Sequence, residues 1–501
     1  MLHRTASLLL LVLVGLSCQQ NKPTDKPNIL FLFTDDQRYN TIYTLGNKEI
    51  ITPNLDKLAR KGFYFNNAYI MGSMSGAVCA PSRAMLMTGR NLYNVHPMGH
   101  TIDPEHTTLA KTLSDQGYVS FHTGKWHNGK ESFSRSFDAG KRIFFGGMSD
   151  HYEVPLHAFD TTGNYPESEL YHRKGKHSAE IYAEAAIDFL EHYDGIQPFF
   201  MYVAFQSPHD PRNMPEKYLN LYGTEKIELP PNFMPEHPFD NGELDIRDEL
   251  LAGFPRTEKE VKANIAAYYA MITHTDDQIG NIMNKLEEKD LTKNTIIVFA
   301  GDNGLAVGQH GLMGKQNLYE HSIKVPLLFT GPGIPEDETS DAFCYLHDIY
   351  PTLCAFSDIS IPQTVMGTSL HEVIKGNEQS TRNEMVFAYK TFQRAYRKGY
   401  WKVIKYNVND TIRTQLFNLQ EDPWELNNLA FNEMYADTLK LIENVMQQKF
   451  NQAGDSVIFS KRDWNLPISV VSWKKKIQKA NPEGYKQLLK MADEERKMRG
   501  V

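Results

Sequence analysis

The sequence has few cysteines, no excess of positive charge and no apolar run long enough to cross a membrane. It contains four cysteines, and no Cys/His spacing predicts a zinc site. It contains 53 Lys and Arg residues and 61 Asp and Glu residues, which give a formal net charge of −8. This balance argues against a nucleic-acid partner, which needs basic stripes, but it permits a local positive pocket for an anion.

The 501 residues include 41% hydrophobic and 11% aromatic residues, which is enough apolar surface for a large core. We therefore expect a globular protein with two domains of unequal size. The cysteines Cys344 and Cys354 have apolar neighbours, which favours two reduced core cysteines, although a disulfide between them stays open.

The first residues are typical of an export signal. Arg4 is followed by a short apolar run over 6–16, and Cys18 then begins a polar tether over 19–27. The run is too short for a membrane-spanning helix. Gly15-Leu16-Ser17-Cys18 is similar to a bacterial lipoprotein cleavage site, so we expect a signal peptide over 1–18 and a lipid anchor at Cys18. An ordinary secretory signal is the alternative, and both place the protein in or beyond the periplasm of a Gram-negative bacterium.

Several predicted strands end in polar residues. Continuous apolar runs over 28–33, 199–205 and 295–300 are typical of strands buried on both faces of a parallel sheet. Ligands of open α/β sheets bind at the carboxyl ends of such strands. The sequence thus predicts an α/β fold with a large, mixed, mostly parallel sheet flanked by helices. Short antiparallel strands between 385 and 418 and a helical end predict a smaller C-terminal α+β subdomain.

A lone cysteine lies in the stretch Cys79-Ala80-Pro81-Ser82-Arg83. Proline suits the first turn of a helix, and Gly89 can end it, so Cys79 is expected at a helix N-terminus. There, backbone N–H groups and the helix dipole favour a bound anion, and Arg83 shares the face of Cys79. A buried, inert cysteine is the alternative interpretation of this residue alone.

Oxygen donors follow two of the predicted strands, namely Asp35, Asp36, Asp302 and Asn303. Because no thiolate or imidazole is among them, the set suits a hard cation, either calcium or magnesium. Other strand ends and loops add Lys125, His127, His209 and Lys315. Cations, histidines and a metal around one nucleophile form the arrangement that an anionic ester requires.

Motifs in a fixed order along the chain resemble those of the type I, formylglycine-dependent sulfatases, a branch of the alkaline phosphatase superfamily. The matching segments are N-I-L-F-L-F-T-D-D at 28–36, C-A-P-S-R at 79–83 with T-G-R at 88–90, G-Y-V-S-F-H-T-G-K-W-H at 117–127, S-P-H-D-P at 207–211, G-D-N-G at 301–304, Gly314-Lys315 and L-F-N-L-Q-E-D-P-W-E-L-N-N-L at 416–429. The resemblance covers most of the chain after the tether.

The resemblance implies a role for each matching residue. It makes Cys79 the residue oxidised to formylglycine (3-oxoalanine) by a maturation enzyme, and Arg83 the group that steadies the hydrated aldehyde. Lys125 and Lys315 would hold the sulfate, His209 would protonate the leaving oxygen, and His127 would accept a proton from the hydrate. The implied ligands of one calcium ion are Asp35, Asp36, Asp302 and Asn303.

The expected function is an exported, exo-acting sulfatase for a sulfated carbohydrate, such as a galactose or N-acetylhexosamine sulfate. We expect a catalytic domain over 28–380 and a C-terminal subdomain over 381–501. An irregular segment over 131–176 is a candidate sugar pocket, with His151, His157, His172 and Arg173 as candidate contacts. Hydrolysis of phosphate or phosphonate esters, and an inactive glycan-binding lipoprotein, are the alternatives.

Overall fold

The computed structural model describes residues 26–459 and 464–466. The predicted signal, Cys18 and tether residues up to 25 lie outside the described residues, as does the chain after 466. Among the helices of the described part, none combines the length and the apolar character that crossing a membrane requires. Export and lipidation therefore stay predictions.

The larger sheet has eight strands in the order β5-β4-β6-β1-β7-β8-β2-β9. Its strands are β1 (Asn28–Thr34), β2 (Gly62–Tyr69), β4 (Val119–Lys125), β5 (Ala139–Phe144), β6 (Phe199–Ala204), β7 (Thr295–Gly301), β8 (Leu327–Thr330) and β9 (Glu338–Tyr345). Neighbouring strands are parallel except around β8, which runs antiparallel to β7 and β2. The predicted mixed, mostly parallel sheet is confirmed.

Strand β1 is the fourth of the eight strands, and all seven of its residues are buried. Alternate side chains enter two different hydrophobic clusters: Ile29 and Phe31 on one face, and Leu30 and Leu32 on the other. Strand β1 pairs in parallel with β6 and β7, and β6 with β4. The carboxyl ends of four strands therefore meet at one edge of the sheet.

Helices cover both faces of the large sheet. The helices are α1 (Pro53–Arg60), α2 (Cys79–Thr88), α3 (Leu109–Ser114), α4 (Lys130–Ser134), α5 (Ser178–His192), α6 (Glu216–Leu219), α7 (Glu258–Glu288), α8 (Glu320–Ile323), α9 (Ile349–Phe356), α10 (His371–Ile374) and α11 (Ala436–Ala453). Apolar residues of α2, α3 and α9 pack on one face, and those of α1, α5 and α7 on the other.

The smaller sheet has the strand order β13-β12-β11-β10-β3. Its antiparallel strands are β10 (Glu384–Tyr389), β11 (Gln393–Lys398), β12 (Trp401–Val408) and β13 (Thr411–Asn418), joined by the short β3 (Gly72–Ser73). Strand β3 precedes the Cys79 stretch and pairs in parallel with β10. The two sheets are thus connected beside the candidate site, and the boundary at 380 stays a prediction.

Two edge strands of the large sheet were not predicted. Residues 131–176 were expected to be irregular, yet they contain most of α4 and the whole of β5. The first half of β9 is largely exposed and polar, so it lacks the apolar run that marks a buried strand. Edge strands of this kind depend on their neighbours for their conformation, and local patterns do not identify them.

Candidate active site

Four neighbouring strands place polar residues at one edge of the large sheet. Asp35 and Asp36 follow β1, and Asp302 and Asn303 follow β7. Strand β4 ends at Lys125, and the loop after β6 carries His209. All of these side chains are buried, as are Arg83, His127 and Lys315. The fold therefore brings together the residues predicted for the site, which are spread between positions 35 and 315 of the sequence.

Cys79 begins helix α2, as predicted from the proline at position 81. The helix ends at Gly89, whose φ of 65° is the left-handed conformation that glycine adopts without strain. The Sγ atom of Cys79 lies 3.3 Å from Nδ1 of His127 and 3.5 Å from Nζ of Lys125. One sulfur atom thus faces both an imidazole and an ammonium group.

Arg83 connects the helix to the two strand ends beside it. Its Nε donates to Oδ2 of Asp302 at 2.9 Å, and its Nη1 donates to the backbone oxygen of Lys125 at 3.0 Å. The Nη2 atom is buried with no partner among the described residues. The guanidinium also interacts electrostatically with the hydroxyl of the buried Tyr202.

The predicted metal ligands include two oxygen atoms with unused acceptor capacity. Oδ1 of Asp35 and Oδ1 of Asn303 are buried and accept no hydrogen bond within the described part of the chain. The amide of Asn303 donates to Oδ1 of Asp36 at 2.7 Å, which turns its oxygen away from that carboxylate. Orphaned carboxylate and amide oxygens at one point are the donors that a hard cation binds, so the residues fit calcium.

The backbone at this point is adapted to bring the ligands close. Asp36 has a φ of 65°, an uncommon value for a residue with a side chain. Its backbone N–H donates to Oδ1 of Asp302 at 3.0 Å. A Cβ atom on Gly304 would lie 2.2 Å from the backbone oxygen of His321, so only glycine fits after Asn303.

Burial and neighbouring charges shift the pKa values of the buried groups. Burial, together with the nearby Asp35, raises the pKa of Asp302 to about 7. For Asp35, burial is outweighed by Lys125 and other cations, so its pKa is below the ordinary value. Burial raises the pKa of the Cys79 thiol to about 11, although Lys125 and Lys315 oppose this. The thiol is therefore protonated at neutral pH and is a poor nucleophile.

Lys315 and His209 both approach Asp36. Nζ of Lys315 lies 2.6 Å from Oδ1 of Asp36, and Nε2 of His209 lies 3.6 Å from Oδ2. Nδ1 of His209 donates to the backbone oxygen of Asp210 at 2.7 Å, which fixes the ring and leaves Nε2 facing the site. His127 is also buried, and burial together with Lys125 holds its pKa well below the ordinary value.

A cleft of about 270 Å³ leads from solvent to Cys79. Its lining is formed by Gly76, Ala77, Cys79, His127, Gly147, Met148, His209, Ile246, Arg247, Asp248, Lys315 and Gln316. A Cβ atom on Gly147 would lie 2.6 Å from Nε2 of His127, so glycine keeps this wall open. A larger cavity, of about 480 Å³ beside Arg397 and Tyr400, includes none of these residues.

The four predicted sugar contacts do not line this cleft. His151 is buried and donates from Nε2 to the backbone oxygen of His209 at 2.9 Å, so it supports that residue from behind. His157 is buried beside β5, His172 is exposed beside Glu153, and Arg173 pairs with Glu184. The segment 131–176 instead contributes Gly147 and Met148.

Sequence reasoning missed Arg247, Asp248 and Gln316. The first two lie in the proline-rich stretch 213–255, which shows no periodicity and follows no predicted strand. Only tertiary structure brings that stretch over the site. For Gln316, the only signal available in the sequence was its position directly after Lys315, which was predicted to belong to the site.

Comparisons with known proteins find similar sequences over most of the chain. The family model described as "Sulfatase" matches residues 27–359, and one described as "N-sulphoglucosamine sulphohydrolase, C-terminal" matches residues 308–452. An ulvan-active sulfatase from Formosa agariphila is 28% identical over 470 residues, covering 89% of this chain and 85% of the relative. An N-acetylglucosamine-6-O-sulfatase from Bacteroides thetaiotaomicron is 26% identical over 532 residues, covering 90% and 92%.

A solved structure supports the fold. It is described as a complex of an enzyme with its substrate D-glucosamine-2-N,6-O-disulfate, and it matches with a TM-score of 0.72 at 24% identity. The match covers 86% of this chain and 99% of that structure. The sulfatase family model spans most of the chain, including β1, the Cys79 helix and β7. The chain therefore belongs to the sulfatase family and is an enzyme that hydrolyses sulfate esters.

Proposed function

We propose that the protein is an exported sulfatase that removes sulfate from a carbohydrate by means of a formylglycine at position 79 and one calcium ion. The observation that carries this proposal is the position of Cys79. Its Sγ atom lies at the end of the cleft, within 3.5 Å of Lys125 Nζ and His127 Nδ1. A maturation enzyme is the partner that this proposal requires.

The state of the thiol supports the need for a modification. A buried thiol with a pKa of about 11 is not a nucleophile at neutral pH. When the side chain is a hydrated aldehyde, it supplies one hydroxyl to attack sulfur and a second whose deprotonation expels sulfate. Arg83, on the same helix as Cys79 and held by contacts to Asp302 and Lys125, is the donor that we propose for this hydrate.

Of the other residues, the two lysines bind the sulfate and the two histidines transfer protons. Lys125 and Lys315 hold the sulfate oxygens and offset the charge that develops on them. His209, oriented through the backbone of Asp210, protonates the sugar oxygen as it leaves. His127 is suited to accept the proton of the second hydroxyl, because its lowered pKa keeps its imidazole neutral.

Asp35, Asp36, Asp302 and Asn303 would hold calcium. The two orphaned oxygens of Asp35 and Asn303 support this assignment, and magnesium is the second hard cation that such donors accept. A cation held by these four residues would supply positive charge that helps to bind an anionic sulfate ester. Asp35 and Asp36 contact Lys125 and Lys315, so the ligands and the sulfate-holding cations form one connected group.

A carbohydrate substrate is supported by the relatives' names, and exo action by the size of the cleft. Its volume of about 270 Å³ is at the small end of the roughly 300–1,000 Å³ typical of ligand pockets. It suits one terminal sugar rather than an internal segment of a chain. We propose a galactose or N-acetylhexosamine sulfate, and anchoring at the outer membrane through Cys18.

Side-by-side rates on an aryl sulfate and the matching aryl phosphate test this proposal. We expect turnover of the sulfate to exceed that of the phosphate by orders of magnitude, and Cys79→Ala to abolish it. A preference for phosphate, or full activity in Cys79→Ala, would contradict the proposal. The first result would favour a phosphate or phosphonate hydrolase of the same fold.

A further inference from the structure

The mouth of the cleft holds an arginine whose terminal N–H groups are all engaged. Arg247 is bidentate to Asp210, donating from Nη1 to Oδ2 and from Nη2 to Oδ1 at 3.1 Å. Its Nη2 also donates to Oδ1 of Asp248 at 2.5 Å, and its Nη1 lies 2.8 Å from Sδ of Met148. A guanidinium has five N–H donors, so only Nε–H remains for a ligand.

Both carboxylates that hold Arg247 are ionised and nearly buried. The side chain of Arg247 is 44% exposed, whereas those of Asp210 and Asp248 are 7% and 9% exposed. The pKa of Asp210 is about 2, because His209 and Arg247 outweigh the effect of burial. The pKa of Asp248 is also lowered, with Lys315 and Arg247 outweighing burial. Two negative charges therefore face one positive charge at the cleft mouth.

Among the described residues, the other two lysines at this cleft are already ion-paired, and Lys315, which lines the cleft, pairs with Asp36. Lys390, whose Nζ is 4.0 Å from a Cβ placed on Gly76, is paired with Glu243. Asp248 itself lines the cleft, and its Oδ2 accepts from Nε2 of Gln316 at 2.8 Å. Each carboxylate oxygen has a second lone pair, so Asp248 retains acceptor capacity for a hydroxyl group.

We infer that the cleft selects a neutral sugar bearing a single sulfate, and that it rejects a second anionic group beside the one that is removed. This inference rests on the proposed function. Asp248 accepts hydrogen bonds from sugar hydroxyls, and Arg247 positions Asp248 and Asp210 instead of binding an anion. A second sulfate or a carboxylate on the sugar meets the net negative charge of the mouth without a free cation to offset it.

The test uses the matured enzyme and a pair of matched aryl sulfates, 4-nitrophenyl sulfate and 3-carboxy-4-nitrophenyl sulfate. We expect kcat/KM to be about tenfold lower for the carboxylated compound, a difference of ~1.4 kcal/mol. A second pair, N-acetylglucosamine-6-sulfate and D-glucosamine-2-N,6-O-disulfate, extends the test to sugars. Equal rates within the aryl pair, or faster turnover of the doubly charged member of either pair, would overturn the inference.

Two variants are expected to change this discrimination in opposite directions. Asp248→Asn removes a negative charge, so the difference in kcat/KM between the singly and doubly charged compounds becomes smaller. Arg247→Gln removes the positive charge, so this difference becomes larger. Glu378→Gln, at an exposed position, is the matched control and leaves the ratio unchanged. Ratios that stay constant in both cleft variants would overturn the inference. Absence of turnover of either aryl sulfate by the matured enzyme would instead contradict the proposed function.

Discussion

At the scale of single residues, the site depends on a few buried polar atoms that have no partner in the described chain. Asp35 Oδ1, Asn303 Oδ1 and Arg83 Nη2 are such atoms, and the two oxygens belong to residues that we propose as calcium ligands. The identities of these residues were predictable because they follow strand ends or belong to the Cys79 stretch. Their unused hydrogen-bonding capacity was not, since it depends on where the neighbouring side chains turn.

His209 is expected to matter most for substrates with poor leaving groups. His209→Asn should lower kcat/KM for a sugar sulfate by about 10²–10⁴-fold, the usual contribution of a general acid. The loss should be much smaller for 4-nitrophenyl sulfate, because nitrophenolate leaves without a proton. Steady-state kinetics on both substrates measures this, with His172→Asn, at an exposed histidine, as the control. Equal losses on both substrates would show that His209 is not the acid.

The loss of turnover at acidic pH should follow the protonation of His127. A base must be neutral to accept a proton, so activity is lost as the pH falls through its pKa. Burial and Lys125 place the pKa of His127 well below the ordinary value of 6.5. Because His127 acts after the sugar has left, its titration appears in kcat, and we expect kcat to be retained below pH 6.5 and to decline only in more acidic solution. A limb centred at or above 6.5 would be inconsistent with His127 as the base.

At the scale of elements, the strands that carry the site were predictable and the loops that form its mouth were not. Strands β1, β6 and β7 are buried on both faces, so their apolar runs identify them directly. Arg247 and Asp248 lie in a segment without periodicity, and their place at the cleft follows from long-range packing alone.

One helix is capped by a side chain from another helix. Oδ1 of Asp276, in α7, accepts from the backbone N–H of Leu55 at 2.7 Å, and Oδ2 accepts from that of Asn54 at 3.0 Å. Both N–H groups belong to the first turn of α1, where helical partners are missing. This contact gives the buried Asp276 a structural role.

Asp276→Ala should therefore lower the free energy of unfolding by about 1–3 kcal/mol, because it leaves buried N–H groups without an acceptor. Equilibrium denaturation in urea measures the change. Asn281→Ala, at an exposed position on the same helix, is the control and should have an effect below about 0.5 kcal/mol. An Asp276 variant as stable as this control would contradict the capping role.

At the scale of the whole molecule, the two sheets are joined next to the site. Lys402 of β12 is fully buried and pairs with Glu320 and Glu425, and Glu320 opens α8 a few residues after Lys315. Strand β3 joins the smaller sheet just before Cys79. The composition of the chain predicted two unequal parts, but it gave no sign of these connections, which join residues as distant in the sequence as Gly72 and Ala388.

Calcium should stabilise the folded protein as a whole, since its ligands come from two different strand ends. A ligand at 100 times its Kd adds about 2.7 kcal/mol to the free energy of unfolding. We expect the Tm to rise on addition of calcium and to fall with a chelator. Asn303→Ala should weaken the response, whereas Asn281→Ala should preserve it. A Tm that is the same with calcium and with chelator would contradict the assignment of this site.

The most direct test of the account is the chemical state of residue 79 in active protein. Conversion of the Cys79 thiol to an aldehyde replaces SH and a hydrogen by one oxygen and lowers the peptide mass by about 18 Da. Preparations with different degrees of conversion can be compared by mass spectrometry and by turnover of an aryl sulfate. We predict that turnover rises in proportion to the converted fraction and is absent when that fraction is zero. Full multiple turnover from protein in which Cys79 is entirely a thiol would contradict the account.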